Sequence, residues 1–146
     1  MFRYLKYRLE LFKLRKILSK EENELEHALE NAKRAGYDDG TLSFLEQQNE
    51  ETENWIRFHQ TQYLSSICDA LIIPMPENTE SGEYYFEFNF DDLEGDRRIL
   101  TKRGMHVART RIREEKKIRR EAFGFWVSMI IGVIGAFIGL ISTLKK

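Results

Sequence analysis

The chain has 146 residues, room for one ordinary domain, and its 23 Lys/Arg and 24 Asp/Glu almost cancel. The cancellation hides three blocks: residues 1–20 carry seven basic residues and one Glu, residues 21–96 three basic and twenty acidic, and residues 97–146 thirteen basic and three Glu. A single cysteine, Cys68, excludes an intrachain disulfide, and the charge layout points to a charged surface or to one part of the chain docking on another.

Residues 1–35 read as one long helix. Tyr4, Tyr7, Leu11, Leu14, Leu18, Glu21, Leu25, Ala28, Ala32 and Ala35 follow the 3,4 spacing of a coiled-coil seam, with Glu21 alone out of character. The opening "FRYLKYRLELFKLRK" never runs apolar for long enough to make a secretory signal. It is also compatible with a basic amphipathic helix in a membrane interface, although the coiled-coil arm is the preferred reading. "AGYDDG" then supplies a helix stop and a new start. A second helix runs to about Leu71, with a less apolar seam of Leu42, Leu45, Asn49, Thr52, Ile56, His59, Tyr63 and Ala70. Two such helices joined by a short loop form an antiparallel hairpin with an acidic tip and a basic open end.

"IIPMPENTESG" is a linker, ended as a helix by Pro74 and Pro76. "EYYFEFNF" alternates, with Tyr84, Phe86, Phe88 and Phe90 on one face, as in a half-buried strand. A turn at "DDLEGD" leads to "RRILT", a possible second strand, and Thr101 is placed to cap the next helix. A two-stranded hairpin is marginal alone. Its aromatic face therefore needs cover from the helical arms or from another subunit.

The helix starting "KRGMHVARTRIREEKKIRR" is expected to run into the membrane. From Phe123 to Leu144 there are 22 residues without a charge, where roughly 20 span a hydrocarbon core of about 30 Å. Twelve of them are Leu, Ile, Val or Phe, together favouring insertion by roughly 4 to 7 kcal/mol. The basic flank lies before the span, so the positive-inside rule places the N-terminal part in the cytoplasm, in the layout of a tail-anchored protein. Arg113, Lys116, Lys117, Arg119, Arg120 and Trp126 are the candidate contacts with anionic lipid headgroups. Ser128, Gly132, Gly135, Gly139 and Ser142 recur at 4,3,4,3 spacing. They put small residues on one stripe, where helix backbones in lipid can approach closely. This is a candidate homo-oligomer interface.

The sequence thus predicts a mainly α protein: a coiled-coil hairpin over 1–72, a linker and short β element over 73–101, a basic juxtamembrane helix over 102–122 and one transmembrane helix over 123–144. The C-terminal part resembles a set of small bacterial membrane proteins that join an N-terminal coiled coil to a Gly-rich single span. The residues carrying the resemblance are Arg98, Leu100, Thr101, Gly104, Ile112, Arg113, Glu115, Arg119 and Arg120. It implies a bacterial inner-membrane setting and transfers no catalytic residue.

No motif for chemistry stands out. His27, His59 and His106 are far apart, and His59 is nine residues from Cys68, outside the short metal-ligand spacings. "FDDLEGD" is similar to a calcium loop, but that alignment puts Phe90 and Thr101 where acidic ligands belong. No phosphate-binding glycine loop or nucleophile elbow is present. Residues 97–120 carry eleven basic residues, but lipid or the acidic hairpin is their nearest polyanion, and nucleic acid is disfavoured. The expected role is a non-enzymatic scaffold or adaptor, without cofactor or metal, that presents the acidic hairpin to a cytoplasmic or membrane protein. Rival readings are a pore-forming or membrane-perturbing oligomer and an accessory subunit of a larger membrane complex.

Overall fold

The computed structural model describes residues 2–37, 40–77, 82–90, 95 and 97–144, with residues 2–3 and 139–144 as backbone alone. It is mainly helical: α1 (Phe2–Ala35), α2 (Thr41–Leu71), a two-stranded antiparallel sheet of β1 (Tyr85–Phe88) and β2 (Arg97–Leu100), and α3 (Lys102–Leu144).

The 3,4 spacing of α1 translates directly into packing. Tyr7, Leu14, Leu18, Leu25, Ala28 and Ala32 are half-buried, and Leu11 and Glu21 are buried, while Tyr4 and Ala35 at the two ends of the seam are exposed. Gly36 ends the helix at φ 74°, a left-handed turn that costs glycine nothing, and its N–H donates to the Ala32 carbonyl at 2.9 Å. The chain then returns as α2. Tyr7 stacks on Tyr63 with ring centroids 4.0 Å apart, which fixes the antiparallel pairing near the base of the hairpin. Counting up both helices from that pair brings Glu21 level with Asn49. Glu21 Oε2 and Asn49 Oδ1 are both buried without a hydrogen-bond partner. A polar layer of this kind costs stability and penalises slipped registers.

α2 has a second buried face that the sequence pattern did not reveal. Asn54, Thr61, Leu64 and Cys68 are buried, whereas Ala70, expected in the seam, is exposed. Leu64 and Cys68 form a core with Leu100 of β2 and with Met105, Ala108 and Ile112 of α3. The sheet lies across this face in the register Tyr85↔Leu100, Phe86↔Ile99, Glu87↔Arg98 and Phe88↔Arg97. The strand is shorter than the alternating octapeptide. At the end of the aromatic row Phe90 is fully buried under α2, with its ring 4.3 Å from Trp55 and 5.4 Å from Phe58, while Tyr84, Phe86 and Phe88 are half-buried and Tyr85, on the alternate face, packs on the core of Leu64 and Cys68. The helical arm, within the same chain, is therefore the cover the sequence called for.

Thr101 joins sheet to helix. Its hydroxyl accepts from the Gly104 N–H (3.1 Å) and donates to the Glu83 carbonyl (2.8 Å), while its own N–H donates to the Tyr84 carbonyl (2.9 Å). This is the expected N-cap, satisfying one of the orphan donors of the first turn. Gly104, one turn on, is where the Tyr84 backbone crosses the helix: a Cβ there would collide with the Tyr84 carbonyl oxygen and lie 2.8 Å from Leu100 Cδ2.

α2 ends with Ile72 in a left-handed conformation (φ 59°, ψ 41°), its N–H donating to the Asp69 carbonyl and that of Ile73 to the Cys68 carbonyl. A β-branched residue there carries strain of about 1–2 kcal/mol. From Thr61 at Leu100 to Leu71 at Arg119, α2 and α3 run side by side in the same direction. The hairpin base and the apolar end of α3 consequently lie at the same end of the molecule.

Candidate functional site: an uncovered apolar helix and its basic collar

α3 is 43 residues long, about 65 Å at 1.5 Å per residue. Its first third is packed through Met105, Ala108 and Ile112; beyond Arg119, whose side chain still reaches the Leu71 carbonyl, it leaves the fold. Every described side chain from Phe123 to Ile138 is exposed, among them Ile131 at 65% and Phe137 at 64%. Among the described residues, this is the one helix long and apolar enough to cross a membrane. The segment 123–144 corresponds to about 33 Å, close to the thickness of a hydrocarbon core.

On the small-residue stripe, Ser128 is exposed, and a Cβ added at Gly132 or Gly135 would meet nothing within 4 Å, so that face is open. The helical backbone continues through Gly139 and Ser142, but the surroundings of these two residues lie outside the described part of the chain.

The basic residues divide into two groups. Arg111 donates to the carbonyls of Pro74 (3.1 Å) and Met75 (3.3 Å), clasping the linker. Arg119 donates to the Leu71 carbonyl at 2.7 Å and pairs with Glu115 at 2.8 Å, bracing the C-terminus of α2. Arg98 and Arg103 pair with Glu87 and Glu83. The remaining collar faces outward. Lys116 and Arg120 are exposed, Lys117 reaches Glu121 at 3.8 Å, and Arg113 turns back on the Arg109 carbonyl and Thr110 hydroxyl at 3.4 Å. Trp126 is 60% exposed one turn below Phe123 and forms an edge contact with Phe125. The struts Arg111 and Arg119 carried one sequence signal: the last turn of α2 holds no basic residue, and the prolines that follow cannot donate to its free carbonyls.

The histidines and the lone cysteine do not converge on one site. No group of three or more His, Cys, Asp or Glu that could hold a metal occurs among the described residues. His59 sits among Trp55 and Phe58, and burial lowers its pKa, partly opposed by Glu10. Cys68 is fully buried, and burial raises its thiol pKa, reinforced by Asp69, which holds it protonated and unreactive at neutral pH. Burial likewise raises the pKa of Tyr85 and of Tyr7, in the latter case against the opposing charge of Arg109. Tyr7, Tyr63, His106 and Arg109 surround an open groove of about 520 Å³ between the three helices, which places the first turns of α1 beside residues 106–113 of α3.

No protein-family model, curated protein or solved structure matches this chain. The residues that carry the sequence resemblance have structural work in this fold: Leu100 and Ile112 are core, Thr101 is the cap, Gly104 the crossing point, and Glu115 and Arg119 the brace.

Proposed function

We propose that this chain is a non-enzymatic membrane scaffold or adaptor, rooted by a single span, whose copies associate through the small-residue face of α3 and whose hairpin is presented to a cytoplasmic partner. One observation carries the reading: an apolar helix surface, from Phe123 to Ile138, that nothing among the described residues covers, continuous with a helix whose first third is packed. Water is a poor environment for that surface and lipid a good one. The exposed basic residues before the span support a cytoplasmic head beside an anionic leaflet, each basic residue contributing about 1 kcal/mol near the surface. The openness of Gly132 and Gly135 supports close approach by another helix. An inner-membrane setting follows from the resemblance alone.

The test replaces Gly135 and Gly139 together by Ile and measures self-association of the span in a membrane reporter. The expected result is loss of association; unchanged association removes self-assembly and leaves a helix that docks on a foreign one. Resistance of the full chain to carbonate extraction tests the anchor itself.

A further inference from the structure

α1 carries two apolar stripes. One packs on α2 through Tyr7, Leu11, Leu14 and Leu18. The other, Leu5, Leu9 and Phe12, lies on the opposite side of the helix and is 57%, 54% and 71% exposed. We propose that this outer stripe is the docking face of the adaptor, and that it takes a partner helix whose own apolar seam is flanked by Asp and Glu. The inference rests on the adaptor reading and moves its recruiting surface from the acidic tip to the basic base of the hairpin.

Geometry and charge choose among the three occupants of such a stripe. The bilayer is the first. α1 runs antiparallel to α2, and α2 runs alongside α3, so the stripe stands along the direction of the span rather than across it. Tyr7 lies at the level of Arg109, which puts Leu5 about 18 Å and Phe12 about 28 Å before Phe123 along α3. The headgroup layer is only about 5–8 Å deep on each side of the hydrocarbon. The stripe stands clear of it.

A second copy is the next occupant. With Leu5, Leu9 and Phe12 as the core positions of a heptad, the flanking positions are Lys6 and Lys13 on one edge and Arg8 and Arg15 on the other. Copies anchored through the same span are parallel, and a parallel pairing of this stripe with itself sets those four cations against the same four. Among the described residues, Lys13 is the one of the four held in an ion pair, with Glu10 at 3.7 Å. Like charges at flanking positions specify against self-pairing as effectively as opposite charges specify a partner. An acidic helix turns each repulsion into an attraction while covering the same three side chains.

The probe is a synthetic three-heptad peptide with Leu at the core positions and Glu at the flanks, alongside a twin with Lys at the flanks, both titrated onto the full chain in uncharged detergent micelles. The Glu peptide is expected to bind, to weaken about tenfold or more on Leu9→Asp or Phe12→Asp, and to be released by salt, while the Lys twin does not bind. Both substitutions point outward, and an unchanged circular dichroism spectrum keeps the comparison interpretable. Failure of the Glu peptide to bind, equal binding of the twins, or indifference to both substitutions overturns the proposal. So does a change in oligomer size on Leu9→Asp, which would give the stripe to a second copy. Shielding of Phe12→Cys from an aqueous thiol reagent in anionic vesicles, on a Cys68→Ala background, would give it to the bilayer and overturn the proposal likewise. Loss of self-association in the Gly135→Ile, Gly139→Ile variant leaves peptide binding intact, so the two readings fail separately.

Discussion

The Leu100 N–H donates to the Thr61 hydroxyl at 3.0 Å, and that hydroxyl donates in turn to the Arg57 carbonyl at 2.8 Å. This side chain on α2 closes the outer edge of β2, where a buried donor would otherwise go unpaired. Thr61→Val keeps the shape and removes the partner, leaving the Leu100 N–H orphaned at a cost of about 1–3 kcal/mol. Thr61→Ser should recover most of it. Thermal melting of the full chain in detergent, followed by helical signal, checks both; a valine variant as stable as wild type would show that water reaches this edge.

Gly104 permits the sheet and α3 to touch. Its missing Cβ is occupied by the Tyr84 carbonyl, a backbone atom held by the Thr101 N–H and unable to swing away. Gly104→Ala should therefore destabilise the head by about 1–3 kcal/mol, although alanine is the better helix former by about 1 kcal/mol. Gly124→Ala, where a Cβ meets nothing within 4 Å, is the matched control and should leave the head's melting unchanged.

The polar layer at Glu21 and Asn49 gives a prediction of the opposite sign. Glu21 is 6% exposed and its Oε2 has no partner, between Leu18 and Leu25 on the same seam. Glu21→Leu should stabilise the hairpin by about 1–4 kcal/mol. If the layer fixes register, the same variant should also populate slipped pairings, visible as a loss of the Tyr7–Tyr63 proximity by paired labels.

How much of this could be read in advance differs from element to element, for physical reasons. The seam of α1 is legible because one apolar stripe meets one partner, so spacing and burial coincide. α2 carries two buried faces: Thr61, Leu64 and Cys68 interleave with Ile56, His59 and Tyr63, and overlapping stripes cancel the period that would reveal either. The alternation of Tyr84 to Phe90 announces a face to be covered, but local pattern cannot name Trp55 and Phe58 as the cover. The long apolar stretch of α3 is legible from composition alone, since 22 residues without a charge have few other uses. In the basic run, sequence alone does not separate struts from free cations. Arg111 and Arg119 look like Lys116 and Arg120 until the carbonyls of Leu71, Pro74 and Met75 are seen to end beside them.

His59 gives the fold a pH dependence of defined sign. Burial, opposed in part by Glu10, holds its folded pKa below the unfolded value, so the unfolded chain takes up the proton more readily. Stability is therefore full above the ordinary histidine pKa of about 6.5 and falls as pH drops through that value toward the folded pKa. Denaturant midpoints measured across this window should decline toward acid in the wild type, with a shallower decline in His59→Gln. Parallel curves for the two proteins would assign the slope to carboxylates instead.

The two groups within the basic collar should separate experimentally. Arg119 is half committed to the fold through Leu71 and Glu115, at an exposed site where each contact is worth about 1 kcal/mol or less. Arg119→Met is expected to loosen the end of α2, seen as faster amide exchange at Ile72 and Ile73, whose N–H groups close the last turn onto Asp69 and Cys68. Replacing Lys116 and Arg120 together by Gln should leave that exchange alone. On the proposed membrane reading, it should instead weaken binding of the head to anionic lipid, with the difference from wild type vanishing at high salt as the Debye length contracts. An exchange pattern that moves equally in both variants would mean that the collar acts as one structural unit, and the lipid contacts would then have to be sought nearer the start of the span, at Trp126.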